Sequence, residues 1–98
     1  TNTSLGVTVN VSNPTNQDPV AIINYSLGIN LTVSFNANLS YDPDGFIASY
    51  NWKFGDGSQS NFSVVLYNYL SPGFYLVNLT VVDNLAATNS ESQLINVT

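Results

Sequence analysis

The sequence has no cysteine, no histidine and no methionine, and a single cation, Lys53, stands against six carboxylates: Asp18, Asp42, Asp44, Asp56, Asp83 and Glu91. Each absence closes a class of function. Without cysteine there is no disulfide and no thiol nucleophile. Without histidine the commonest general base and the imidazole ligand of zinc and copper sites are missing. A net charge of −5 with one lysine cannot neutralise phosphates, which excludes nucleic acid as a partner and gives an anionic bilayer nothing to hold. No run of 18 or more apolar residues occurs, so nothing reads as a membrane-spanning helix. Charged residues make up 7% of the chain, against about 25% in a typical domain. Asn, Ser and Thr must therefore wet the surface, and stability should depend only weakly on pH.

What is present is alternation. The chain has the length of one domain, 98 residues. Apolar residues recur at every second position between clusters of Gly, Pro, Asn and Asp, and no window sustains a helical period. Strands are expected at about 5–11, 20–25, 30–37, 46–54, 62–69, 74–83 and over the closing SQLINVT. Inward stripes are Leu31, Val33 and Phe35; Tyr50, Trp52 and Phe54; and Tyr75, Val77, Leu79 and Val81. Short strands at this spacing predict an all-β antiparallel sandwich of about seven strands plus an extra one at the N-terminus. Such a small core is marginal without disulfides. Eleven Phe and Tyr residues together with Trp52 supply the large buried areas that offset this.

Two motifs are specific. YDPDG places Asp42, Asp44 and Gly45 in a turn, and the following WKFGDG places Trp52, Phe54, Gly55, Asp56 and Gly57 on a strand and a second turn. Further on, Tyr69 precedes PGFYLVNLTVVD, which contains Pro72, Gly73, Tyr75, Val77, Leu79, Val81 and Asp83. Together they resemble the PKD (polycystic kidney disease) domain family over about residues 19–98. The resemblance implies an Ig-like β-sandwich in an extracellular, non-catalytic module. Two positions depart from the family pattern: Tyr67 stands where a His is common, and Ala86 where a Gly is usual.

Asp56 between two glycines reads as a structural corner, its carboxylate accepting nearby backbone N–H groups. Asp42 and Asp44, two apart in a Gly-terminated turn, have the hard oxygens that calcium requires. The resemblance adds that some relatives, in secreted collagenases, bind calcium near this turn with help from an Asn at the end of the first strand, which would be Asn24 here. Two readings of Asp42 and Asp44 stand: a calcium site, calcium being the one cofactor the pattern offers, or an Asx turn with solvated carboxylates and no cofactor. A glycosidase would need one carboxyl of raised pKa inside a cleft. Asp42 and Asp44 are expected to be exposed in a short turn, so no enzyme is predicted.

Eight N-x-[ST] sequons occur, at Asn2, Asn10, Asn24, Asn30, Asn38, Asn61, Asn78 and Asn96. Most follow automatically from strands with Asn and Ser/Thr outward and an apolar residue inward. Their excess also predicts N-linked glycans, which would solubilise so uncharged a surface. The stretch 1–18 is a strand, with Leu5, Val7, Val9 and Val11 on one face, and a linker, NPTNQDP; it precedes the domain at 19–98 and needs a surface to cover, by folding back onto its own domain, by inserting into a neighbouring subunit, or as part of a longer repeat protein. The sequence-level expectation is a non-catalytic structural glycoprotein of the cell surface. In this view it is a subunit of a filament, pilus-like thread or surface layer that self-associates through its first strand. The alternative is a spacer or a carbohydrate- or protein-binding module of a secreted hydrolase or adhesin.

Overall fold

The structure, a computed structural model, describes residues 16–98. The expected first strand with Leu5, Val7, Val9 and Val11, and the sequons at Asn2 and Asn10, lie outside the described residues. Seven strands and no helix form from residue 16 onward: β1 (Asn24–Leu27), β2 (Thr32–Asn36), β3 (Ile47–Lys53), β4 (Gln59–Ser60), β5 (Val64–Asn68), β6 (Gly73–Asp83) and β7 (Thr88–Val97). They pair antiparallel in two sheets, β1-β2-β5 and β4-β3-β6-β7. The all-β sandwich expected from the alternation is the fold.

Alternation places the core. Val33 and Phe35 of β2 are buried against Trp52 of β3, Val77, Leu79 and Val81 of β6, and Ile95 and Val97 of β7. The Phe35 ring lies 5.2 Å from Trp52 and 5.3 Å from Phe54, tilted against both. Contacts of this geometry add to what burial alone contributes.

Two strands start later than the alternation suggests. The stretch from Val20 makes only a bridge to Tyr41, and β1 begins at Asn24. Pro19 has no N–H to enter a ladder, and the Ile22 N–H is taken by the Ser40 hydroxyl at 2.9 Å. In the second case, Asn30 and Leu31 have φ of 56° and 64° and form the centre of a turn closed by Thr32 N–H donating to the Ile29 carbonyl at 3.1 Å. Asn suits that region and Leu does not. Leu31 is held there because its side chain packs against the core.

Candidate metal centre

The Gly-Asp-Gly corner closes the end of β3. Gly55 and Gly57 have φ of 89° and 95°, which L side chains avoid. A Cβ on Gly55 would also meet the Leu76 carbonyl at 2.8 Å. The Asp56 carboxylate accepts the Ser58 N–H at 3.0 Å and the Tyr67 hydroxyl at 2.5 Å. Burial alone would raise its pKa, but these hydrogen bonds outweigh it and hold the carboxyl below its ordinary value. Tyr67 also stacks on Phe54, with centroids 4.1 Å apart. The buried Tyr69 donates its hydroxyl to the Phe54 carbonyl at 2.8 Å. Every polar group named here serves the corner itself, in a structural role.

The second turn differs. Oxygens of Asp42, Asp44 and Asp83 all lie within 4.8 Å of one another. The YDPDG turn brings the first two, and β6 ends on the third. Asp83 is fully engaged: one oxygen accepts the N–H groups of Leu85 and Ala87, each at 2.8 Å, and the other accepts the Asn16 amide at 2.9 Å. Asp44 accepts the Gln17 N–H at 2.9 Å. Asp42 is the exception. Its side chain is buried, and neither oxygen meets a hydrogen-bond donor. The side-chain amide oxygen of Asn16 is likewise buried and unpartnered. A Cβ on Gly45 would stand 2.2 Å from the Asn84 side-chain oxygen and 2.8 Å from an Asp42 oxygen, so only glycine fits at this point of the turn.

Electrostatics separate the two buried acids. Burial, then the adjacent Asp44 carboxylate and more weakly Asp83, push the Asp42 carboxyl up. Burial acts the same way on Asp83, but the Asn16 amide and two backbone N–H groups override it and hold its pKa down. An unpaired buried carboxylate is costly, and a cation among the three carboxylates would remove that cost. Calcium takes oxygen ligands at about 2.3–2.6 Å, so ligands on opposite sides of the ion stand about 5 Å apart. The cluster has that spacing, and the orphaned oxygens of Asp42 and Asn16 are the kind of donor the ion requires.

Asp42 was expected to be exposed and is buried. Asn24, expected at the cluster, sits exposed at the start of β1 in register with Asn36. The amide that meets the carboxylates is Asn16. Neither Asn16 nor Asp83 was singled out as a ligand from sequence. Asp83 carried a signal, as the closing residue of the second motif, whereas Asn16 sits in a stretch that reads as a linker. Of the sequons, Asn24, Asn30, Asn38, Asn61 and Asn96 are exposed, while Asn78 is half-buried with its amide bonded to Ser92 at 3.0 Å.

The family model described as "PKD domain" matches residues 7–98. The chain belongs to the PKD domain family. Residues of this PKD domain are 39% identical over 84 positions to collagenase ColA of Clostridium perfringens, covering 84% of this chain and 8% of that protein. They are 32% identical over 89 positions to the pre-pro-metalloprotease PrtV of Vibrio cholerae, covering 91% and 10%. The solved PKD1 domain of Vibrio anguillarum Epp superimposes with a TM-score of 0.80 at 37% identity, covering 85% of this chain and 96% of that one. A structure described in connection with carbohydrate-binding modules of the β-sandwich superfamily gives a TM-score of 0.80 at 42% identity, covering 87% and 36%. The PKD domain thus spans a tenth or less of the length of these two curated relatives.

These matches correct the expected filament or surface-layer subunit. The chain's counterparts are single modules within a collagenase and a metalloprotease, which supports the spacer or binding-module alternative. A physical feature agrees. Among the described residues β7 is an edge strand, and Glu91, exposed and in register with the buried Leu79, lies on the sheet's inner side. An inward-pointing charge on an edge strand opposes the addition of a foreign strand.

Proposed function

We propose that this PKD domain is a non-catalytic spacer module of a larger secreted hydrolase, with a calcium site that fixes how the chain enters it. The carrying observation is the buried Asp42 carboxylate without a donor, set among Asp44, Asp83 and the unpartnered Asn16 oxygen. Asn16 and Gln17 belong to the lead-in segment, Asp42 and Asp44 to the first motif turn, and Asp83 to the end of β6. An ion held by all three segments would lock the lead-in against the sandwich, giving the preceding chain a set direction instead of a swivel. The likeness to parts of collagenase ColA and metalloprotease PrtV supports the hydrolase setting and the extracellular location, where calcium is plentiful.

The test is calorimetric titration with calcium, paired with limited proteolysis near Asn16 in calcium and in chelator. One saturable site, weakened by Asp42→Asn and accompanied by protection of the lead-in, is expected. No heat and unchanged cleavage in millimolar calcium would overturn the reading.

A further inference from the structure

Directly opposed residues of an antiparallel ladder share a face. On the outer face of the four-stranded sheet, Leu76 of β6 stands opposite Leu94 of β7, and Phe74 stands opposite Asn96. Phe74, Leu76 and Leu94 are all more than half exposed. They form one shelf, because same-face neighbours along a strand are roughly 7 Å apart and opposed residues roughly 5 Å. The fourth corner of the shelf is polar. It is Asn96, the first residue of the sequon Asn96-Val97-Thr98.

No charge guards this shelf. Among the described residues β7 is an edge strand, and its outer-face positions are Thr88, Ser90, Ser92, Leu94 and Asn96. Natural edges are protected by charge, proline or a cover, and Glu91 lies on the inner side. An apolar patch left bare at an edge is an interaction or aggregation surface.

The same sheet holds a second sequon as an internal contrast. Asn78 begins Asn78-Leu79-Thr80 in the middle of β6, between β3 and β7. Its amide donates to the Ser92 hydroxyl at 3.0 Å, and its oxygen accepts the hydroxyl of Thr80, the last residue of the same sequon, at 3.2 Å. A sugar on that nitrogen would compete with the Ser92 bond. Asn96 is exposed. Its sequon straddles the end of β7 at Val97, where a ladder opens most readily.

We propose that Asn96, and not Asn78, carries an N-linked glycan whose first sugar covers the shelf of Phe74, Leu76 and Leu94. The donor is a lipid-phosphate-linked oligosaccharide, and a membrane-bound transferase supplies the base. The Asn96 Nδ2 attacks the anomeric carbon, and the Nδ2–C1 bond forms as the C1–O bond to phosphate breaks. The phosphate leaves with the electron pair, and the amide gives one proton to the base. The sugar is then a short linkage from a Cβ that stands about 5 Å from that of Phe74. Its C–H face removes apolar side chain from water, and its hydroxyls leave a bulky, wet surface. The glycan also blocks the end of β7 against a foreign strand. The proposal shares with the proposed function only the extracellular setting. Phe74, opposite Asn96, and Asp83 are nine residues apart on β6, about 30 Å at strand rise, so glycan and calcium can fail separately.

The experiment is glycopeptide mass mapping of the protein secreted from its own cells, beside Thr98→Ala, which destroys the sequon and keeps Asn96. The parent should carry a glycan on Asn96 and none on Asn78, and Thr98→Ala should have Asn96 bare. The parent should melt about 2–6 °C above Thr98→Ala. Phe74→Thr, a strand-compatible change at an exposed position, should keep the glycan and lose most of that difference. Asn96 bare in the parent would overturn the proposal and leave the shelf to a second protein. Equal occupancy of Asn78, or a melting difference undiminished by Phe74→Thr, would overturn it too.

Discussion

The Tyr69 hydroxyl donates to the main-chain carbonyl of Phe54 at 2.8 Å, a buried bond that ties the end of β5 to the end of β3 across the two sheets. Tyr69→Phe keeps the ring stack but leaves that carbonyl buried without its donor. The expected loss is about 1–2 kcal/mol of unfolding free energy, measured by urea titration. Unchanged stability would mean that another donor reaches the Phe54 carbonyl.

Ala86 has φ of 71°, where an L side chain is strained by about 1–2 kcal/mol relative to glycine. Glycine adds about 0.4–1 kcal/mol of unfolded-state entropy in return. Ala86→Gly should therefore stabilise the domain by about 0.5–1 kcal/mol, a rise in melting temperature for a substitution that usually lowers it. The turn's own bond, Ala86 N–H to the Asp83 carbonyl at 3.1 Å, involves only backbone and should survive the change.

The lowered pKa of Asp56 has a definite sign. A carboxyl that ionises more readily when folded adds stability above its unfolded pKa of about 3.9, and that stability disappears as pH falls through the lower folded value. Asp56→Asn should flatten the acid limb of a pH–stability curve below about pH 4. Tyr67→Phe, which removes one of its donors, should do so in part. A curve that keeps its slope in both variants would contradict the assignment.

Asp42 should behave in the opposite sense without calcium. Its charge is buried beside two other carboxylates, so Asp42→Asn should raise the melting temperature in chelator. In millimolar calcium the order should reverse, with the parent domain gaining stability from bound ion and the variant gaining little. Equal melting temperatures under both conditions would argue against a metal role for this residue.

The parts legible in the sequence were those governed by a strict period or a dense motif. Trp52, Phe54, Val77, Leu79 and Val81 alternate, and a two-residue period assigns faces without reference to any partner. The Gly-Asp-Gly corner was legible because its chemistry is local. Leu31 was assigned to a strand because an apolar residue in an alternating run gives no sign of a positive φ, and only contact with the core makes that conformation tenable. The acidic cluster was half visible. Asp42 and Asp44 are neighbours in sequence, but Asp83 is 39 positions beyond Asp44 and Asn16 bonds to Asp83 across 67 residues. That convergence follows from sheet order, which no local pattern encodes. The burial of Asp42 was missed for the same reason, because Asp83, which lies beside it, is remote in the chain.

The arrangement of β7 has a mechanical consequence. The lead-in meets β7 near its start, where the Asn89 amide donates to the Pro19 carbonyl at 2.9 Å, and β7 runs from there to Val97 at the opposite pole, in register with Gly73. Tension applied between Pro19 and Val97 therefore acts along β7, parallel to the strand axis. Its continuous ladder with β6, from Gly73 opposite Val97 to Val82 opposite Thr88, would be sheared, with its hydrogen bonds strained together. Peeling, in which they break one at a time, is not the geometry on offer. A module pulled at its two ends inside a longer chain would resist as a stiff strut.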